Sequence, residues 1–131
     1  MKPLILTPGF GDNAPTATLY YGQDVRDSLR LLAEDSVHMV CTSPPYFGLR
    51  DYGTGDSQIG LEPTFDEFVD ALVEVFREIK RVLRPDGTLW VNLGDTYAGF
   101  HGDLRPQDIG LKPKDLMGIP WRVAFALQAD G

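Results

Sequence analysis

Residues 42–46 combine a hydroxyl, two prolines and an aromatic ring, in the order Thr-Ser-Pro-Pro-Tyr, directly after the apolar run 37–41. Proline has no backbone N–H, and the residue before it is held in an extended conformation, so this loop is stiff and offers acceptors without donors. Such a loop suits a substrate group that is itself a donor, such as an amino group on a base or an amide. If Ser43 and the Pro44 carbonyl accepted both amine protons, the nitrogen would become tetrahedral, with a more available lone pair.

Tyr46 adds a ring that can stack on a flat substrate, a contact worth about 1–3 kcal/mol per nucleic-acid base. Catalytic and ligand-binding groups of open α/β sheets gather at the carboxyl ends of strands, and the apolar run 37–41 predicts such a strand. The alternative is a proline-rich turn that only ends the strand. The residues by themselves leave both interpretations open.

The motif at 42–46 resembles the catalytic motif of amino-group DNA methyltransferases, which make N4-methylcytosine or N6-methyladenine from S-adenosylmethionine. Its serine form resembles the N4-cytosine signature, whereas N6-adenine enzymes more often carry Asp or Asn. Cys41 departs from the larger residue that is usual at that position of the signature. Segments 22–24, 47–53 and 83–91 also resemble the permuted group, in which the catalytic motif precedes the cofactor-binding glycine loop. The resemblance covers roughly residues 17–131.

The resemblance implies a catalytic role for four residues of the loop. Ser43 and Pro44 would orient and polarise the target amine, and Pro45 would fix the loop. Tyr46, together with Phe47, would stack on the base. The substrate would be double-stranded DNA whose target base is flipped out, because the amino group cannot be reached within the stack. Transfer would be a direct in-line displacement, and no metal is implied.

Three charged residues are further candidates. Asp24 resembles the position that binds the cofactor adenine, with capping of the following helix as the equal alternative. Arg50 is the candidate phosphate contact near the loop, with an ion pair to Asp51 or another acid as the alternative. Asp95 follows another predicted strand, and we expect it to cap rather than to line the pocket.

Composition limits the partners and the location of the chain. It has 131 residues, 43% of them hydrophobic, which predicts one globular domain at most. The net charge of −7 argues against a free-standing DNA-binding module, because phosphate neutralisation supplies most non-specific affinity. Neither a membrane span nor a signal peptide is indicated, so the sequence predicts a cytoplasmic protein.

The elements predict an α/β chain with a Rossmann-like S-adenosylmethionine-dependent methyltransferase fold, incomplete and with helices on both faces of a parallel sheet. Residues 1–16 are predicted to be an N-terminal arm or loop, and residues 17–131 the catalytic-motif portion of the domain. A strand is predicted over 18–21 and a helical stretch over 25–32. The strand 37–41 then leads into the catalytic loop.

The clearest pattern predicts a helix over 65–83, which begins with a Thr64/Glu67 capping box and carries a continuous apolar stripe. A turn at 84–87 and a strand over 88–93 complete a predicted βαβ unit, which brings Ser43 and Asp95 to the same sheet edge. The last helix is expected to begin near Asp115, with Pro120 in its first turn or at a kink, and to end at Gly131.

The glycine loop that would hold the cofactor does not appear after any predicted strand. Gly9-Phe10-Gly11 lies in the irregular arm, so it does not fit that pattern. We therefore expect a second chain, or a C-terminal half, to supply the cofactor loop and target recognition. Two alternatives to an N4-cytosine enzyme stay open: an adenine-N6 methyltransferase, and a non-catalytic fragment or half of a split enzyme.

Overall fold

The computed structural model describes residues 4–6, 15–53, 55, 58–99 and 110–131. The elements in chain order are β1 (Leu4–Leu6), β2 (Ala17–Leu19), α1 (Val25–Arg30), β3 (Val37–Thr42), α2 (Phe65–Val82), β4 (Leu83–Val91) and α3 (Ile119–Asp130). Within these ranges no helix is long and apolar enough to cross a membrane. The segment Gly9-Phe10-Gly11 lies outside the described residues.

The predicted βαβ unit is confirmed by β3, α2 and β4. The two strands pair in parallel, and Val40, Cys41 and Thr42 lie opposite Leu89, Trp90 and Val91. Because the register is continuous at this end, the two strands finish side by side. The loops that follow them therefore leave from one edge of the sheet.

Helix α2 is the centre of the core, as its apolar stripe predicts. Phe68, Leu72 and Val82 are almost completely buried, and α1 and α3 both pack against α2. The other buried residues of the helix are Phe65, Val69, Val73, Val75, Phe76 and Ile79. Burial of this stripe stabilises the sheet edge from which the Ser-Pro-Pro-Tyr loop leaves.

The capping box at the start of α2 is also confirmed. The Thr64 hydroxyl accepts the Glu67 N–H at 3.2 Å, and the Glu67 carboxylate accepts the Thr64 N–H at 3.0 Å. Thr64→Ala is expected to lower the free energy of unfolding by about 1 kcal/mol, because an N–H of the first turn loses its acceptor. Urea denaturation measures the change. Thr64→Ser, which keeps the hydroxyl, should stay close to the wild type; an equal loss in both variants would contradict the capping explanation.

Several predicted boundaries differ from the structure. The loop prediction for residues 1–16 is wrong at Leu4–Leu6, which forms β1 and pairs antiparallel with β2. Helix α3 begins at Ile119 rather than near Asp115, with Pro120 in its first turn and Gly131 as its C-cap, as predicted. The domain boundary after residue 16 stays a prediction.

The predicted turn at 84–87 lies inside β4 rather than before it. Val37 pairs with Leu83 and Met39 pairs with Thr88, so residues 84–87 bulge out opposite His38. Proline and glycine in this segment gave the turn signal, but pairing resumes on the same partner strand after it. The strand therefore begins earlier than the sequence predicts.

One face of the β3–β4 sheet has no helix against it in the described ranges. Val40 packs on the core, while Met39 and Trp90 are 57% and 64% exposed. The prediction of helices on both faces is therefore wrong for this part of the chain. The reason is that α1 and α3 gather around α2.

Candidate functional site

The Ser-Pro-Pro-Tyr loop begins where β3 and β4 end together. Thr42 is the register partner of Val91, and the next residue on β4's side, Asn92, donates its N–H to the Thr42 carbonyl at 2.9 Å. Ser43 is therefore the first residue beyond the paired sheet. Asp95 follows β4 at the same edge, as the βαβ pattern predicts.

The loop exposes a set of acceptors. The carbonyls on either side of it are occupied: Thr42 accepts from Asn92, and Tyr46 accepts from Leu49 at 3.3 Å. Between them, the carbonyls of residues 43–45 and the exposed Ser43 hydroxyl have no hydrogen-bond partner among the described residues. Because the prolines have no N–H, the loop presents oxygen acceptors to any molecule that lies against it.

A pocket of about 310 Å³ adjoins these acceptors. Its volume lies at the lower end of the range usual for small-ligand sites, which is on the order of 300–1,000 Å³. Its lining brings together five of the predicted site residues and two others: Ser43, Pro44, Pro45, Tyr46, Leu49, Arg50 and Tyr52. The structure thus combines acceptors, an aromatic surface and a cation in one small pocket.

Arg50 lies at this pocket with an exposed side chain. The alternative of an ion pair with Asp51 is not found among the described residues. Asp51 instead accepts the Gly53 N–H at 2.7 Å. Arg50 therefore has no ion-pair partner among the described residues, and its contact with a phosphate stays a prediction.

Phe47 does not reach the pocket, which corrects its predicted role in stacking on the base. Its ring is only 3% exposed and packs on Phe68 of α2, with 5.4 Å between the ring centroids. Neighbouring aromatic residues point to opposite sides here, Tyr46 toward the pocket and Phe47 into the core. Phe47 therefore anchors the loop to α2.

Two residues that sequence reasoning missed support the segment after the loop. Gln58 donates from its side-chain amide to the Arg50 carbonyl at 2.8 Å, and its amide oxygen accepts the Tyr52 N–H at 2.7 Å. Gly60 lies behind the loop, where an added Cβ would come within 3.1 Å of Pro45 Cβ. Only the richness of this segment in glycine and polar residues signals such roles.

Asp24 caps α1, which is one of its two predicted roles. Its Oδ1 accepts the Arg26 N–H at 2.8 Å, and the Arg26 guanidinium donates to both carboxylate oxygens, at 2.9 and 2.7 Å. A carboxylate offers about four acceptor positions, so one remains for a further donor. Arg26 also lines a cleft of about 880 Å³, whose other lining comes mainly from the segment 51–63 and does not include Asp24. The cap is thus observed, and the cofactor contact of Asp24 stays a prediction.

The Arg26–Asp24 pair makes stability depend on pH. The hydrogen bond from the Arg26 side chain lowers the pKa of Asp24 from its ordinary value of 3.8, against the opposing effect of burial. A lowered pKa contributes stability above the unfolded-state pKa, and that contribution disappears as the pH falls through the folded-state value. We expect Asp24→Asn to lose less stability than the wild type between pH 7 and about pH 3. Equal acid sensitivity, measured by urea unfolding, would contradict the pair's role.

Asp95 caps a helix distant in sequence, which confirms capping rather than lining of the pocket. Its carboxylate accepts the N–H groups of Gly118 and Ile119, each at 3.0 Å, and that of Thr96 at 2.9 Å. Gly118 stands at the N-cap of α3 and has no side chain with which to cap it. Asp95 supplies the missing oxygen at the positive end of the helix.

Comparison of the sequence with known proteins identifies a family to which this chain is similar. The family model described as DNA methylase matches residues 37–128, which include β3, the loop, α2 and β4. No solved structure matches the chain at a comparable level of significance.

Similar curated proteins are all type II methyltransferases. M.XycI of Xanthomonas campestris pv. cyanopsidis is 54% identical over 88% of this chain and 43% of that protein. M.Cfr9I of Citrobacter freundii is 52% identical over the same shares, and M.SmaI of Serratia marcescens is 45% identical over 82% of this chain and 42% of its own length. The chain thus spans less than half the length of these relatives. Together with the match to the family model, they show that the chain belongs to the amino-group DNA methyltransferases.

Proposed function

We propose that this chain carries the base-binding part of a site-specific DNA methyltransferase that transfers a methyl group from S-adenosylmethionine to an exocyclic amine, with cytosine N4 preferred. The observation that carries the proposal is the row of acceptors at residues 43–45, which have no partner in the part of the chain that the structure describes, beside the pocket of about 310 Å³. Such a row suits an amino group and is poorly suited to a carbonyl. The parallel βαβ unit supports a Rossmann-like fold for the whole protein.

In the proposed mechanism the loop prepares the amine for attack. The Ser43 hydroxyl and the Pro44 carbonyl accept the two amine protons, which draws the nitrogen toward a tetrahedral geometry with its lone pair free. Tyr46 stacks on the base and fixes its plane, so that the reaction is dominated by positioning. One proton must leave after transfer, and the exposed Ser43 hydroxyl gives it a path to water.

The cofactor would donate a hydrogen bond to the remaining acceptor position of the Asp24 carboxylate. S-adenosylmethionine supplies an electrophilic methyl group attached to sulfur. The Asp24 carboxylate, held by Arg26, would accept a hydrogen bond from the amino group of the cofactor's adenine ring. The glycine loop that would complete the site is proposed to come from a second chain or from a C-terminal half, because the relatives are about twice as long.

DNA would reach the pocket as a duplex whose target base is flipped out. Arg50 lines the pocket and is placed to contact a neighbouring phosphate. Most non-specific affinity would have to come from elsewhere, since this chain carries a net charge of −7. The type II names of the relatives support a role in modification within a restriction–modification system, in the cytoplasm.

Mass spectrometry of digested DNA tests the reaction and the target base together. The chain, together with the part that supplies the glycine loop, is incubated with unmethylated plasmid DNA and S-adenosylmethionine, and the nucleosides are then separated. N4-methylcytosine is the expected product. N6-methyladenine alone would overturn the cytosine preference and favour the adenine alternative.

The alternative of a non-catalytic fragment, or half of a split enzyme, is supported by the 43% coverage of the relatives. Calorimetric titration of the isolated chain with S-adenosylmethionine distinguishes a chain that binds the cofactor by itself from such a fragment or half. Tight binding would rule out the fragment alternative. If the isolated chain does not bind S-adenosylmethionine, it needs its complementary part for methyl transfer.

A further inference from the structure

The Tyr46 ring lies directly on Gly94. A Cβ built on Gly94 would stand 2.6 Å from Tyr46 Cε2, 2.9 Å from Cδ2 and 3.2 Å from Cζ. The first two distances are shorter than real carbon–carbon contacts allow, so no larger residue can occupy position 94 while the ring stays in place. Gly94 does not have a positive φ, so its backbone conformation does not require glycine. Glycine is needed here because the Tyr46 ring occupies the space in which a Cβ would lie.

Gly94 is itself held in place by the residue that follows it. The Asp95 carboxylate accepts three backbone N–H groups, two of them from Gly118 and Ile119 at the start of α3. Ile119 is completely buried, and α3 packs on α2. The backbone that contacts the Tyr46 ring is therefore held by hydrogen bonds to the start of a helix that packs on the core.

We infer that Gly94 is a positioning residue for Tyr46. The hydrogen bonds that Asp95 accepts from the start of α3 hold the Gly94 backbone in place, and the Tyr46 ring lies against this backbone where it closes one side of the base pocket. The inference rests on the proposed function only in that the ring's partner is a base. Two fixed surfaces then set the plane of the ring. Phe47, buried against Phe68, fixes the chain after Tyr46, and Gly94 supports the ring from below.

A double-mutant cycle tests the contact without any ligand. Gly94→Ala is expected to lower the urea midpoint in the wild type, because the new methyl group displaces the ring, and to have little effect in a Tyr46→Ala background. Gly87→Ala is the matched control. It adds a similarly crowded methyl group to β4, 2.9 Å from the Arg84 carbonyl oxygen, but has no contact with Tyr46. Its effect should be the same in both backgrounds; if Gly94→Ala also costs the same in both, the inference is wrong.

A base-binding readout separates positioning from mere stability. The full 131-residue chain, labelled with ¹³C in its tyrosine rings, is titrated with a single-stranded oligonucleotide containing dC and followed by NMR. In the wild type, and equally in Gly87→Ala, the Tyr46 signal should shift on titration. In Gly94→Ala we expect that shift to be lost and the oligonucleotide to bind roughly fivefold or more weakly, since stacking is worth about 1–3 kcal/mol per base.

The outcomes of the two experiments are distinguishable. If Gly94→Ala binds as tightly as the wild type with an unchanged Tyr46 shift, the positioning role is overturned. If the wild-type Tyr46 signal does not respond to the oligonucleotide, the proposed function fails. In that case the positioning role is decided by the cycle alone, because the contact between ring and glycine does not depend on DNA.

Discussion

Ser43→Ala is expected to slow methyl transfer roughly 10- to 100-fold, because one of the two acceptors for the amine protons is lost. A hydrogen bond of this kind contributes about 1.5–3 kcal/mol when charge develops on one partner, and about 1.4 kcal/mol corresponds to a tenfold change in rate. The hydroxyl is exposed and has no partner among the described residues, so its removal should leave the fold intact. Single-turnover transfer of a labelled methyl group, by the chain together with the part that supplies the glycine loop, measures the effect.

Ser36→Ala is the control for Ser43→Ala. Ser36 directly precedes β3, at the other end of the strand from the loop, and its hydroxyl donates to the Ala33 carbonyl at 2.7 Å. Its removal should not change the rate of transfer. An unchanged rate in Ser43→Ala as well would contradict the proposed role of the hydroxyl.

Phe68→Ala is expected to lower the free energy of unfolding by about 3–5 kcal/mol, which is a large part of the stability of a small domain. The side chain is fully buried, and its ring also contacts Phe47, the anchor of the Ser-Pro-Pro-Tyr loop. The variant should therefore lose both stability and the order of the loop. Urea unfolding and the protection of loop amides from hydrogen exchange measure the two effects.

Phe125→Ala provides the matched control on α3. Its side chain is 67% exposed, so the same substitution should change the free energy of unfolding by less than about 0.5 kcal/mol. Losses of similar size in the two variants would show that burial on α2 is not what holds the chain together.

Helix α2 and the parallel βαβ unit could be predicted because their signals are local. The capping box lies within four residues, 64–67, and the apolar stripe repeats with the helical period. The position of the Ser-Pro-Pro-Tyr loop followed from the same reasoning, since a parallel pair of strands brings two carboxyl ends to one edge. These predictions needed no knowledge of distant contacts.

The predictions that failed depend on partners far along the chain. Nothing within residues 1–16 signals that Leu4–Leu6 pairs with β2, because a strand of three residues carries no usable period. Tyr46 and Phe47 are adjacent aromatic residues, and only Phe68 decides which of them is buried. The support under Tyr46 could not be predicted either, because Gly94 follows a strand separated from Tyr46 by the whole of α2.

Asp24 shows a different limit. Its type and place, just after a glycine and before a helix, fit a cap and a cofactor contact equally well. The structure adds the bidentate pair with Arg26, which a capping pattern does not specify. The cap is thereby confirmed, and one acceptor position is left for the proposed cofactor contact.

The central claim is that the loop selects a base by its amino group, and one comparison tests it directly. NMR titrations of the isolated chain use two thymidine oligonucleotides that differ only in one central nucleotide, dC or dU, so that the N4 amino group is exchanged for the O4 carbonyl and N3 gains a hydrogen. We predict that dC shifts the Tyr46 signal and binds roughly fivefold or more tightly, because the amino group of dC donates two hydrogen bonds, whereas dU has only its N3–H to donate and its O4 would face other acceptors. Equal binding of the two, or tighter binding of dU, would contradict the claim.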